Sequence, residues 1–175
     1  MFFKIKDNSF LNHLSSIKSR INIRKIDNTP RGEHLLTYSI KNAEAVKLLF
    51  LRYQGKNYSI LYNFKSQDFY IVQLRFSQKV FDDQVEFYGD IKDNILYIHA
   101  AYVEKVTLLD NLELLDKLLY TEYKEDLDME NLQIKIKEFY SSSKEIKSLQ
   151  DEKINGILYL NNNLDKQHFI EFLNN

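Results

Sequence analysis

The chain has 175 residues, with 24 Lys and Arg against 25 Asp and Glu, a formal net charge of −1 and no cysteine. This length suits one domain with a sizeable core, and a hydrophobic content of 44% is too high for a disordered chain. The charge balance gives no overall attraction to nucleic acids or membranes, and the missing cysteine excludes disulfides, Cys-bound zinc and thiol chemistry. No run of about 18 apolar residues occurs, so we expect no membrane insertion and a location inside the cell or in a virion.

The chain begins with a predicted helix followed by a predicted strand. Residues 8–20 have apolar side chains at helical spacing, and Asn8 or Ser9 can cap the start. Residues 21–27 alternate apolar and polar side chains, which predicts a strand. The only proline and a glycine mark 28–34 as a loop.

Six further strands are predicted in the next part of the chain. Tyr and Phe are concentrated there, as is typical of half-buried sheet surfaces, and the turns between the segments are short. Strands with such close spacing pair antiparallel. The predicted strands cover 34–40, 45–54, 57–65, 68–76, 84–93 and 94–104.

Helical and strand patterns alternate in the last third of the chain. Leucines at helical spacing predict a helix over 108–120. Because they cover more than one face, either the helix lies deep in the fold or one side meets a partner, and we expect partial exposure in the isolated chain and burial in an assembly. Alternation over 132–140 predicts a strand, and 142–152 predicts a short polar helix. The remaining patterns predict a strand over 154–161 and a terminal helix over 165–175.

This order of elements predicts the α+β class, with two packed, mostly antiparallel sheets and flanking helices in a single domain over residues 1–175. Period-2 alternation predicts which strand residues face the core. They are Leu49, Leu51, Ile60, Tyr62, Ile71, Leu74, Phe87, Leu96, Ile98, Ile157 and Tyr159.

Common catalytic and metal-binding patterns are missing from the sequence. The four histidines are scattered without the spacing of zinc ligands. Four isolated glycines cannot form a phosphate-binding loop, and no G-x-S-x-G sequence occurs. Aromatic residues make up 14% of the chain and could stack on nucleic-acid bases, but without a basic surplus we interpret them as core residues.

Three segments carry altered versions of one family's motifs. Lys41 precedes a predicted strand in SIKNAEAVKLLFLRYQGKNYSILYN, Asp90 lies in EFYGDIKDNILYIHAAYV, and Gly156 lies in EKINGILYLNN. Their order and separation, over roughly residues 35–162, resemble the nucleotidyltransferase domain of mRNA capping guanylyltransferases and ATP-dependent RNA and DNA ligases. The resemblance implies a fold of that kind, with Lys41 at the position of the lysine that carries the nucleotide. It also implies that Asp90 replaces a glutamate of the family and that Gly156 is the family's glycine.

The departures from the family pattern indicate lost chemistry. Ala43 and Glu44 replace the Asp-Gly after the lysine, Ala100 replaces an aspartate, and Asn155 replaces the metal-facing acid. Attack on an α-phosphate needs a deprotonated lysine and a metal ion, which binds hard oxygen ligands. The family's later motif with two lysines and its small OB lid domain have no match in this sequence.

The sequence therefore predicts a catalytically inactive nucleotidyltransferase-like protein without cofactor or metal. We expect Lys41 to be a vestigial nucleophile, and Asp90 and Gly156 to be remnants of a nucleotide-binding site. The predicted role is a structural or interaction subunit of a larger protein assembly, such as a viral particle or a transcription or capping complex. The 19 lysines against 5 arginines fit an AT-rich genome, such as that of a large DNA virus. The alternatives are an active or partner-assisted enzyme that uses Lys41, and an RNA-binding module.

Overall fold

Short apolar segments and tight turns give the described part of the chain more strand than helix. The computed structural model describes residues 2–17, 22–31, 35–103, 111–119, 123, 132–148, 153–160 and 166–171. The strands are β1 (Phe3–Lys4), β2 (Asn22–Lys25), β3 (Leu35–Ile40), β4 (Glu44–Tyr53), β5 (Lys56–Asn63), β6 (Phe69–Val72), β7 (Glu86–Lys92), β8 (Ile95–Tyr102), β9 (Gln133–Ile136), β10 (Ile154–Leu160) and β11 (Lys166–Glu171). The helices are α1 (Asn8–Ser16), α2 (Gln78–Asp82), α3 (Asn111–Lys117) and α4 (Ser143–Ser148). The predicted α+β class is confirmed.

The elements belong to two units, each with its own sheet. Unit 1 comprises Met1–Lys18 and Glu44–Ile136, and unit 2 comprises Ser19–Ala43 and Lys137–Asn175. Unit 1 contains a seven-stranded sheet in the order β1-β6-β5-β4-β7-β8-β9, and unit 2 a four-stranded sheet in the order β2-β11-β10-β3. Antiparallel pairs predominate, although β9 runs parallel to β8 and β2 runs parallel to β11. The single domain over 1–175 stays a prediction.

The central strand β4 is buried on both of its faces. Leu49 and Leu51 face one side, where α1 packs, and Leu48 and Phe50 on the opposite face are fully buried as well. A continuous apolar run is typical of a strand that is covered on both sides. Alternation predicted that only the face with Leu49 and Leu51 is buried, whereas both faces of this strand are buried.

The N-cap of α1 lies one residue earlier than the sequence suggested. The side chain of Asp7 accepts a hydrogen bond from the backbone N–H of Phe10 at 2.9 Å, so Asp7 is the N-cap instead of Asn8 or Ser9. Phe10 and Leu14 are the buried residues of the helix, and the Phe10 ring stacks on Tyr53 with 4.5 Å between centroids. This contact fixes α1 on the sheet of unit 1.

The core of unit 2 forms where α4 meets β3 and β10. Ile146 of α4 is fully buried against Leu36, Ile157 and Tyr159. Of the predicted core positions in both units, most are buried and three are partly buried. The buried ones are Leu49, Leu51, Ile60, Phe87, Leu96, Ile98, Ile157 and Tyr159, and the partly buried ones are Tyr62, Ile71 and Leu74.

One prediction for the last third of the chain is wrong. The segment Lys166–Glu171 is the strand β11 instead of a helix, because it pairs with β10 on one edge and with β2 on the other. The leucine-rich helix packs on β8, and its residues Leu115 and Leu118 are buried within the chain. That a partner covers part of the predicted helix 108–120 stays a prediction. Leu108 and Leu109 lie outside the described residues.

No helix in the described ranges is long and apolar enough to cross a membrane.

Candidate functional site

Lys41 lies in the exposed turn that follows β3 in unit 2. Its backbone N–H donates to the carbonyl of Lys153 at 2.8 Å, and the next residue, Asn42, has a φ of 60°, which asparagine tolerates better than most residues. The side chain of Lys41 is exposed. A nucleophilic lysine is normally activated by desolvation or by a cationic neighbour, and an exposed turn does not provide the first of these.

Gly156 is an interior strand residue of unit 2. It is buried in β10, opposite Ser39 of β3 and Glu171 of β11. The β3–β10 register shifts between Ile154 and Gly156, which makes Asn155 the extra residue of a bulge. The position that the resemblance assigns to a nucleotide site therefore has a role in sheet pairing.

Asp90 is buried in β7 of unit 1, between β4 and β8. The preceding Gly89 has a steric role, because an added Cβ would lie 2.0 Å from the carbonyl oxygen of Tyr97 and 2.8 Å from Cα of Ile98. Only glycine permits such a close approach of two backbones. The Gly89-Asp90 pair thus has a local structural explanation. The predicted site residues belong to different units, Lys41 and Gly156 to unit 2 and Asp90 to unit 1.

A buried charged cluster in unit 1 was missed by the sequence analysis. Lys47 of β4 and Glu86 of β7 are only 3% and 1% exposed, and Nζ of Lys47 lies 3.8 Å from Oε1 of Glu86. The hydroxyl of Tyr88 donates to Oε2 of Glu86 at 2.6 Å, and Nζ of Lys47 lies 5.5 Å from the ring centroid of Tyr62. A lysine inside the apolar run of β4 was the available signal, since a charge is rarely buried without a partner.

Glu44 helps to hold a turn. The side-chain amide of Asn63 donates to Oε2 of Glu44 at 2.8 Å. The amide oxygen of Asn63 accepts from the backbone N–H groups of Lys65 and Ser66 at 2.9 and 3.1 Å, the arrangement of an Asx turn. The Glu44 carboxylate is thereby engaged in the connection between β5 and β6.

In unit 2, the segment after β9 forms hydrogen bonds with the edge strand β3. Nζ of the buried Lys137 donates to the carbonyl of Tyr38 at 2.9 Å, and the hydroxyl of Thr37 donates to the carbonyl of Glu138 at 2.7 Å. The hydroxyl of Tyr140 donates to Oε2 of Glu138 at 2.8 Å. Partial burial, this hydrogen bond and the negative charge of Glu138 raise the pKa of Tyr140 to about 12.

Aromatic rings in unit 1 pack on one another. Tyr62 lies 4.6 Å from Phe69 and 5.1 Å from Phe64 between ring centroids, and Phe64 lies 6.4 Å from Tyr88. On the other face of the sheet, Phe50 contacts three further phenylalanine rings. These contacts support the interpretation of the aromatic residues as core residues.

Carboxylates and histidines do not gather into a metal-type cluster in the described ranges: no group of three or more is placed to hold a metal ion. No protein-family model matches the sequence, and no curated protein matches it.

Proposed function

We propose that this chain is a nucleotidyltransferase-like protein that does not transfer nucleotides and acts as an interaction subunit of a larger protein assembly. The observation that carries the proposal is the exposed position of Lys41 in a turn, without the desolvated surroundings that a nucleophilic lysine uses. The proposed fold relationship rests on the order of the Lys41, Asp90 and Gly156 segments.

The engagement of acidic side chains in structural contacts supports the same proposal. Glu86 is held by Lys47 and Tyr88, and Glu44 is held by Asn63. A catalytic metal needs carboxylate oxygens directed at the ion. The carboxylate oxygens of Glu86 and Glu44 instead contact side chains of the sheet and of the β5–β6 connection.

The packing of the aromatic rings favours an interaction subunit over an RNA-binding module. A base-stacking platform needs ring faces that are open to solvent, and Tyr62 and Phe64 instead have rings against them. The RNA-binding alternative predicts a salt-dependent complex with single-stranded RNA, which a gel-shift measurement detects.

A labelling experiment separates this proposal from the enzyme alternative. The purified protein is incubated with α-labelled GTP or ATP and Mg²⁺ or Mn²⁺, and we expect no acid-labile label on the chain. Stoichiometric label that is lost in Lys41→Ala and retained in Lys65→Ala, a matched exposed turn lysine, would show that the enzyme alternative is right.

The subunit role is tested by size. In an extract of its native source the chain should elute in a complex much larger than its own 21.0 kDa. Elution as a 21.0 kDa monomer at native concentration contradicts the subunit role.

A further inference from the structure

A groove of about 710 Å³ lies in unit 1 where β6 separates from β5. Its lining includes Asn57 of β5, Val72 of β6, Leu74 and Arg75 after β6, and Phe81 of α2. This volume lies within the range of ligand-binding clefts, roughly 300–1,000 Å³. The groove contains none of the residues that the resemblance assigns to a nucleotide site.

The hairpin of β4 and β5 directs main-chain groups of Asn57 into this groove. Its two-residue turn, Gln54 and Gly55, has φ values of 51° and 79° and is closed by the pair Tyr53–Lys56. Two positive φ values are typical of a type I′ turn, whose closing pair is hydrogen-bonded. Because bonding direction alternates along an antiparallel strand, the N–H and C=O of Asn57 point away from β4.

The neighbouring strand does not reach Asn57. The pairing of β5 with β6 ends at Ser59 and Val72, and the same register continued by two residues would bring Leu74 opposite Asn57. In the described part of the chain, no main-chain hydrogen bond to Leu74 is formed. Two residues further on, Phe76 pairs with Tyr123 in an isolated antiparallel bridge, and its ring lies in the aromatic cluster of unit 1. Within the described residues, β5 and the segment after β6 therefore do not pair with each other at this end of the groove.

Apolar side chains and one basic side chain complete the groove. Val72 and Phe81 are buried, and the exposed Arg75 supplies the charge among the described lining residues. The side-chain amides of Asn57 and Gln78 bond to each other at 2.8 and 3.3 Å, which ties the end of β5 to α2. One wall of the groove is thus held in place without a ligand, which reduces the ordering cost of binding.

We propose that this groove binds an extended segment of a partner protein by strand addition. The main chain of the segment pairs with Asn57, an apolar side chain lies on Val72 and Phe81, and an acidic side chain lies at Arg75. Extended peptides supply alternate side chains to opposite faces, which matches an apolar and acidic alternation. This inference rests on the proposed role as an interaction subunit and names the kind of partner that it binds.

The test uses a panel of synthetic hexapeptides that alternate Val, Leu or Phe with Glu, and a matched panel with Lys in place of Glu. In ¹⁵N-labelled protein we expect members of the Glu panel to shift the amide signals of Asn57 and Leu74 saturably. Arg75→Glu should weaken this binding by about tenfold or more, the size expected for a lost charge-assisted hydrogen bond, and reverse the preference toward the Lys panel. The control Lys65→Glu, outside the groove, should leave binding unchanged.

Methylation of the backbone nitrogens of a bound peptide tests strand addition itself, and it should abolish binding because the main-chain donors are lost. The proposal is overturned if no peptide of either panel shifts the amide signals, or if the Arg75→Glu variant keeps its preference for Glu peptides. It is also overturned if the methylated peptide binds as tightly as the unmethylated one. Its failure is distinguishable from failure of the proposed function. If nucleotide label attaches to Lys41 and the peptides bind, only the proposal that the protein does not transfer nucleotides is rejected. If neither labelling nor peptide binding occurs, only the proposed peptide-binding groove is rejected.

Discussion

Lys47 and Glu86 form an ion pair inside the seven-stranded sheet, with 3.8 Å between Nζ and Oε1 and almost no exposure of either side chain. Within the described residues, no hydrogen-bond donor reaches Oε1 of Glu86, so Lys47 is the group that balances its charge. A buried pair of this kind contributes little net stability, because desolvation offsets the attraction, but the loss of one partner leaves an uncompensated charge.

Lys47→Met should therefore destabilise the protein by about 3–5 kcal/mol, whereas the double variant Lys47→Met/Glu86→Leu should recover much of that loss. Arg52→Met is the matched control, since the Arg52–Asp82 pair has a similar distance of 3.8 Å but is about half exposed. It should cost less than about 1 kcal/mol. Urea denaturation followed by circular dichroism measures all three, and equal costs for Lys47→Met and Arg52→Met would contradict the prediction.

Gly89→Ala should destabilise the protein much more than Gly55→Ala. The added Cβ would lie 2.0 Å from the Tyr97 carbonyl oxygen, and because the obstacle is backbone it cannot rotate away. Gly55→Ala is the control, where the Cβ meets nothing within 4 Å and only the φ of 79° is unfavourable. The control should cost about 1–2 kcal/mol of stability. In thermal denaturation, the melting temperature of Gly89→Ala should lie well below that of Gly55→Ala. A melting temperature of Gly89→Ala that equals or exceeds that of Gly55→Ala would disprove the close approach of β7 and β8.

The β4–β5 hairpin was the most predictable part of the fold. Its two apolar and aromatic segments and the Gln-Gly turn between them are local signals that do not depend on the rest of the chain. The segment 166–171 was predicted wrongly because apolar spacing in a short segment fits both a helix and a strand, and its pairing with β10 and β2 decides between them. Local patterns cannot report such long-range pairing.

The candidate site was less predictable than the fold. Motif spacing identifies Lys41, Asp90 and Gly156 as positions, but spacing does not show which side chains are exposed or which residues a bulge displaces. The need for Gly89 arises from a backbone across the sheet, and the burial of Lys47 depends on an acid that lies far away in sequence.

Tyr140 should titrate near pH 12. Its pKa is raised from 10.0 to about 12 by partial burial, the Glu138 hydrogen bond and the Glu138 charge. A folded-state pKa above the unfolded value means that this stabilisation is fully present below pH 10 and is lost as the pH rises toward 12. The tyrosinate absorbance of the native protein minus that of Tyr140→Phe should therefore have its midpoint near 12. A difference curve with its midpoint at 10.0 would show that Glu138 does not hold the hydroxyl.

The hydrogen bond between the side chains of Asn63 and Glu44 can be tested by exchanging which of the two carries the amide and which the carboxylate. Asn63→Asp keeps the acceptor for the backbone of Lys65 and Ser66 but loses the donor to Glu44 and places two carboxylates together. Because Glu44 is exposed and its charge is screened, we expect a loss of about 1 kcal/mol at neutral pH. Adding Glu44→Gln restores a donor opposite the new carboxylate, so the double variant should regain most of the lost stability. Glu44→Gln alone should be nearly neutral, since its amide oxygen still accepts from Asn63. A double variant no more stable in urea than Asn63→Asp alone would show that Glu44 does not support this turn.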